Sequence, residues 1–324
     1  MADRIVHIAA SGGDYTSFAA AVAGEPGFQV GEDNIQFIRT DAVMETNMVD
    51  IASGYTTSSA HKLIFTSSTE AKHDGTRGSG AGVSTGVHYS CAFQPQLNYI
   101  EIIGLELTAS EHNCTGVTMY GNYNKVIDCL IYDLDASDCV GVNIEGGLGV
   151  VVNTIVENCY HGIQGTPYGG AYATVYNCTV LNSTVYGISN LRSSATQYGK
   201  NNYAGGSGTA DYYNAGTMDL TTCASSDGTG STTEIEVVDC AFTNVTAGSE
   251  NAHIGSTSDL IAAGTDLRAD ATYNVTLDFE GDTRPATPAI GADEYVAAGG
   301  RVTFNTRPNH LGEQIGMGFG MNLN

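Results

Sequence analysis

The sequence predicts an all-β chain: a single-stranded right-handed parallel β-helix, a solenoid with a short N-terminal capping helix and a C-terminal strand extension. Three observations carry that prediction. A short apolar phrase returns at near-constant spacing, with Leu105, Cys129, Thr154 and Cys178 separated by 24, 25 and 24 residues. Within each phrase apolar side chains alternate, the period-2 mark of a half-buried strand. Glycine is abundant at 41 residues, proline scarce at 6, and charged residues make up only 15% of the chain, a profile that suits short strands joined by many turns.

Residues 1–34 read as an N-terminal cap. Ser11-Gly12-Gly13-Asp14-Tyr15-Thr16-Ser17-Phe18 is a turn leading into a helix that uses Phe18, Ala21 and Val22 and stops at Gly24. An open stack of strands needs such a cover.

Residues 35–298 read as the stack. Ile102-Ile103-Gly104-Leu105-Glu106-Leu107 opens a series continued by Val126-Ile127-Asp128-Cys129-Leu130-Ile131, by Val175-Tyr176-Asn177-Cys178-Thr179-Val180 and by Val237-Val238-Asp239-Cys240-Ala241-Phe242. A second phrase alternates with it: Gly116-Val117-Thr118-Met119, Gly141-Val142-Asn143-Ile144, Gly162-Ile163-Gln164 and Gly187-Ile188-Ser189. Each coil therefore holds at least two strands. A leucine-rich consensus is missing, and propeller blades run to ~40 residues or more. Coils of a parallel β-helix fit, stacked at the ~4.8 Å strand spacing with apolar columns inside and Asn or Asp ladders at the bends. Residues 192–234, rich in Gly, Ser, Thr, Asn and Tyr, break the rhythm and read as a loop insertion.

Six of the eight cysteines directly follow Asn or Asp, which marks a repeated core position beside a turn former. No CxxC pair exists, so reduced, buried thiols are expected rather than a zinc cluster.

The net charge of −23 disfavours nucleic acid and anionic membranes as partners. No apolar run approaches the ~20 residues of a membrane span, and none near Met1 is long enough for a leader. Synthesis in the cytoplasm without a signal peptide is the expectation.

Ser11–Phe18 resembles the "GGDYTS" opening of many right-handed β-helix repeat proteins. Ser258-Asp259-Leu260-Ile261-Ala262-Ala263-Gly264-Thr265 is similar to their "SPLIDAGT" stretch. Gly281-Asp282-Thr283-Arg284-Pro285 and Ala289-Ile290-Gly291-Ala292-Asp293-Glu294-Tyr295 resemble their close. The resemblance spans roughly residues 5–295 and speaks for architecture. The group mixes polysaccharide lyases, hydrolases, adhesins and bacteriophage virion or tailspike proteins. Its secreted members usually carry a leader and a sorting tail, so a leaderless chain points to the phage-type members.

The chemical inventory is thin, and no catalytic residue stands out. A lyase needs cations in a groove, and the stack offers Lys125, Arg192 and Lys200, far apart in sequence. A glycoside hydrolase needs paired carboxylates. Asp133, Asp135, Asp138, Glu145 and Glu157 are raw material without an evident pair. Asp133, Asp135 and Asp138 are candidate Ca²⁺ ligands, but EF-hand spacing is absent and an Asx-rich turn accounts for them; no other cofactor is expected. Cys159 and His161 stand close in sequence without a further signature. The loop Gly75–Gly82 lacks the Lys-Ser/Thr of a phosphate loop. Tyrosines suited to stacking on sugar rings cluster at Tyr168, Tyr172, Tyr198, Tyr203, Tyr212 and Tyr213.

Residues 299–324 read as an anchoring and oligomerisation tail. Ile315, Met317, Phe319, Met321 and Leu323 alternate with Gly and Asn, giving a strand with one greasy face and one bare face. Such a strand either caps its own helix or adds to a neighbouring subunit. The leading expectation is a structural or adhesive bacteriophage virion protein: a capsid decoration, head spike or tail-associated protein. It would be anchored to other virion proteins by this strand, be homo-oligomeric, a trimer being what the resemblance to virion β-helices implies, and bind cell-surface polysaccharide. The alternative is a polysaccharide lyase or glycoside hydrolase of tailspike type.

Overall fold

The recurring phrase folds as its chemistry dictates. Val126 faces inward, Ile127 outward, and Asp128 turns the chain with φ of +52°. Cys129 then points inward and Leu130 outward. Asn153, Asn177 and Asn201 turn the same bend in the following coils with φ of +48°, +50° and +53°. Asn and Asp tolerate this left-handed conformation better than other side chains, which is why the bend selects them. Asp133, Asn158 and Asn182 mark the next bend in the same way.

The computed structural model describes residues 2–29, 32–86, 88, 90–166, 172–230 and 239–297. Among these, the chain winds a right-handed parallel β-helix. Three parallel sheets form its walls. Sheet A has nine strands from Ala2–Ile8 to Thr217–Thr221, sheet B eight from Met44–Glu45 to Ala224–Ser225, and sheet C seven from Val49–Ile51 to Ala210–Asn214. The registers stack like on like: Phe37, Phe65, Ile102, Val126, Val151 and Val175 in sheet A, and Val83, Leu107, Ile131, Val156 and Val180 in sheet B. Phe93, Val117, Val142, Ile163 and Ile188 complete the core from sheet C. Each fully buried aliphatic or aromatic rung stabilises the stack by about 1.5–3 kcal/mol. All eight cysteines are free thiols, six buried and Cys91 and Cys240 half-buried.

The capping helix is Phe18–Gly24, with Ser17 accepting the Ala20 N–H. Phe18 plugs the open end, edge-on to Phe65 and Phe93 at 5.7 and 5.8 Å. The stack nevertheless starts earlier than the 1–34 boundary implies. Ala2–Ile8 already pairs in parallel with Glu32–Arg39 as the first rung of sheet A.

Within the stretch 192–234, the described residues 192–230 are not an insertion. Thr196–Lys200, Tyr203–Gly205, Ala210–Asn214, Thr217–Thr221 and Ala224–Ser225 are further rungs. The period is hidden because small and polar side chains replace the aliphatic columns. Asn202, fully buried, accepts from the Cys178 N–H at 2.9 Å and donates to the Val175 carbonyl at 2.6 Å, so it fills a core position at no unpaired cost.

The stack does not run on to 298. Residues 239–297 leave it and return along its outside as a strap. The strap contains the antiparallel pair Phe242–Asn244 and Asn251–Ile254. Leu260, Phe279, Ala289, Ile290 and Ala292 cover the outward face of sheet B at Leu130, Ile155, Leu181 and Tyr203. Leu267 and Val275 cover Val152 and Tyr176 of sheet A. The segments resembling the close of β-helix proteins are therefore the clasp of the solenoid. The 299–324 tail, with Ile315, Met317, Phe319, Met321 and Leu323, lies outside the described residues.

Candidate functional site

The outward face of sheet A presents one residue per coil in a straight column. Glu101, Lys125, Val150, Thr174 and Tyr198 are aligned by the parallel register. A groove of about 320 Å³ lies over its middle. Lys125, Val150 and Thr174 form the floor, Tyr123, Leu148 and Tyr172 one wall, and Thr272 and Tyr273 of the strap the other. Tyr123 and Tyr172 are 43% and 40% exposed, so both rings are open to a ligand. Tyr99 stacks on Tyr123 at 4.8 Å, and Tyr198 meets Tyr172 edge-on at 5.5 Å, which holds the exposed rings in place.

The charge at the groove is unusual for this chain. Lys125 and Lys62 both pair with Glu101 Oε1, at 3.0 and 3.1 Å, and the Lys125 ammonium lies 5.1 Å from the Tyr273 ring centre. Burial pushes the Glu101 carboxyl up, but the two ammonium groups outweigh it and its pKa falls below the ordinary value. The ionised trio carries one net positive charge.

Lys200, Arg192, Asp133 and Glu157, also singled out in the sequence, are engaged elsewhere. Lys200 pins the strap through Asp270 at 2.6 Å, and Arg192 donates to the Thr166 carbonyl. Arg77 crosses the outer face of sheet B. It reaches Asp133 at 2.7 Å, Glu157 at 3.1 Å and Glu250 of the strap, with its guanidinium carbon 5.1 Å from the Tyr132 ring centre. Burial drives Glu157 up to about 7 against the pull of Arg77. The Glu157 side chain is closed to solvent, so this cluster locks loop to strap and offers no acid–base pair to a substrate. The loop at 75–82 does hold an anion, but an internal one: the Gly78 and Gly80 N–H groups donate to Glu106 at 2.7 and 2.6 Å.

Asp133 and Asp138 are left-handed bend residues, and with Asp135 they form no metal-ligand group among the described residues. The groups close enough to share an ion there belong to the strap and its hairpin: His253, Glu280 and Asp293, and Asp278, Glu280 and Asp282. Cys159 is fully buried, its thiol donates to the Glu157 carbonyl, and burial raises its pKa far above the ordinary value, so it forms no nucleophile pair with His161.

The tyrosine candidates divide. Tyr172 and Tyr198 belong to the groove. Tyr213 is 37% exposed and belongs to a separate aromatic row on sheet C, stacked on Tyr186 at 4.2 Å, which stacks on His161 at 5.4 Å. Tyr203 and Tyr212 are 5% exposed and out of reach of an external ring: the strap covers Tyr203, and Tyr212 sits in the core with its hydroxyl on the Asn202 carbonyl. Tyr168 lies outside the described residues. Sequence reasoning passed over Glu101, Lys62 and Tyr273. The 24-residue step from Glu101 to Lys125 was the available signal for the first. Tyr273 joins the groove only through the strap's return. A second hollow of about 490 Å³ beside the capping helix is lined by Glu25 and Asp50 and by no cation.

No protein-family model matches the chain, and no curated protein matches it. Among solved structures, the crystal structure of pectate lyase Pel9A is similar over 91% of this chain and 97% of that chain, at 13% identity and a TM-score of 0.38.

Proposed function

We propose that this protein is a glycan-binding β-helix that holds an acidic polysaccharide in the groove over sheet A. The observation that carries this is the pair of exposed tyrosines, Tyr123 and Tyr172, bordering the Lys125 floor. Aromatic rings offer flat apolar faces to sugar rings. The local positive charge suits a carboxylated sugar and stands out in a chain of net charge −23. The open side of the groove suits a chain that continues past it.

Titration calorimetry with uronate-containing oligosaccharides tests the proposal. Tyr123→Ala and Tyr172→Ala are each expected to weaken binding about 10-fold, the order of one aromatic stacking contact. Equal affinity of both variants and the native chain would overturn it.

A second reading is a polysaccharide lyase with Lys125 as the base, favoured by the position of its ammonium on the groove floor. The ion pair with Glu101 at 3.0 Å speaks for binding over proton abstraction. Appearance of unsaturated uronate on incubation with the same glycans, lost in Lys125→Met, would decide for the lyase. Display on a virion, with the alternating Ile315–Leu323 tail as anchor, remains our proposal for the setting of this surface, and mass spectrometry of purified particles tests it.

A further inference from the structure

We propose that the strap carries a transition-metal site of the zinc class, built from His253, Glu280 and Asp293. The three side chains come from separate places: the hairpin strand Asn251–Ile254, a turn of the strap, and the strap's last stretch. One ligand atom from each lies within 4.8 Å of the others.

Two independent features point to a ligand here. The first is Asp293. It is 3% exposed, and although its Oδ2 accepts from the Ile254 N–H at 2.8 Å, its buried Oδ1 has no donor. A buried carboxylate oxygen without a partner is costly, and a cation supplies what no N–H does. The second is the orientation of His253. Asn251 Oδ1 accepts from the His253 backbone N–H at 3.1 Å, which fixes that atom as the amide oxygen. The same oxygen lies 2.6 Å from Nδ1, so Nδ1 carries the proton and donates. In the neutral ring Nε2 then holds a lone pair, and it faces Glu280 Oε2 at 3.4 Å. A histidine whose outer nitrogen donates to an amide or carboxylate oxygen while the inner one meets acidic oxygens is how proteins orient imidazole ligands.

The distances fit. Tetrahedral zinc with bonds of about 2.1 Å places its ligand atoms ~3.4 Å apart, which matches the His253–Glu280 separation. One imidazole and two carboxylates select zinc-class ions over Ca²⁺ or Mg²⁺, which take oxygen-only sets. His253 is 22% and Glu280 13% exposed, so the ion has a route in and water completes the fourth position. Around the ring, Phe279 packs edge-on at 5.3 Å, and Gly75 of the stack approaches so closely that a Cβ there would lie 2.8 Å from the imidazole. A bound ion would tie the hairpin, the strap turn and the strap end together.

The test uses the full chain, stripped with chelator and titrated with Zn²⁺. One ion per chain is expected to survive desalting and to raise the melting temperature. Co²⁺ at the same site should give the visible bands of a four- or five-coordinate N/O site without thiolate charge-transfer absorption, which separates it from the eight cysteines. His253→Gln and Asp293→Asn should each weaken binding at least 100-fold, and Asn251→Ala about 10–100-fold, as for other groups that orient a ligand histidine. If one ligand variant fails to fold, the other carries the test. Absence of stoichiometric retention, thiolate bands with Co²⁺, or unchanged affinity in the folded ligand variants would overturn the site.

Discussion

Replacing Arg284 with Met is expected to release the strap while the stack stays folded. Arg284 is 1% exposed and sits where the strap crosses the bend between sheets A and B. It donates to Glu294 at 2.7 Å, to the Ala292 and Gly291 carbonyls at 2.8 and 3.0 Å, and to Asn153 Oδ1 of the bend ladder at 3.1 Å. Glu294 is itself 7% exposed. Removing one partner of such a pair leaves a buried charge uncompensated and costs about 3–5 kcal/mol. That is comparable with what two large buried side chains contribute, so the strap loses an amount equal to a main part of its apolar anchorage. Urea unfolding followed by circular dichroism, with limited proteolysis read by mass spectrometry, measures it. The variant should show early cleavage within 239–297 and a stack transition close to that of the native chain. Adding Glu294→Leu should restore most of the loss, because an apolar pair of similar volume replaces a buried ion pair at little cost. Cleavage within 239–297 at the native rate, corresponding to a strap opening changed by less than about 1 kcal/mol, would refute the clasp.

Two further outcomes follow from the same contacts. Glu157 has a folded pKa raised to about 7, so its favourable contribution is complete below its unfolded value of ~4.3 and is lost as pH rises to about 7. Glu157→Gln should flatten that part of the stability profile, changing the native-minus-variant difference by on the order of 3 kcal/mol across this window; a difference that is constant with pH would show that Glu157 stays charged in the fold. Ellman titration should find at most Cys91 and Cys240 reactive in the native protein and all eight thiols in urea, and a lower count in urea would reveal disulfides that the structure lacks.

The repeat was legible where the bend chemistry and the aliphatic columns coincide. Asp128-Cys129 and Asn177-Cys178 announce both the left-handed turn and the next inward residue, so the middle coils declare themselves. The capping helix was legible because Ser17 precedes an apolar face at helical spacing and Gly24 closes it. The last coils were not, because Gly199, Asn202 and Ala204 fill inward positions that Val or Cys hold earlier. The strap was misread as stack because Leu260, Phe279 and Ile290 are as apolar as core residues. They are buried against the outside of sheet B, a distinction that periodicity does not record. The groove was half visible: Lys125 and Tyr172 were legible as a cation and a sugar-stacking ring, but Tyr123 was not among the candidates, and Tyr273 joins them only through the strap's return, 148 residues after Lys125.

The strap also limits where this protein can act. By covering sheet B and the second outward column of sheet A, it removes most of the flat surface a parallel β-helix ordinarily shows to solvent. Among the described residues, the outer positions left to a ligand include the first column of sheet A, with its tyrosines and lysines, and the Tyr213–Tyr186–His161 row of sheet C. Tyr273 is both a wall of the groove and part of the strap's contact with Val152 and Tyr176. Loosening the clasp must therefore reshape the groove. A variant of Arg284 that frees the strap should lose glycan binding together with protease resistance, although Arg284 touches no groove residue. If binding survives release of the strap, the site lies on the stack alone, and the sheet C row becomes the surface to mutate.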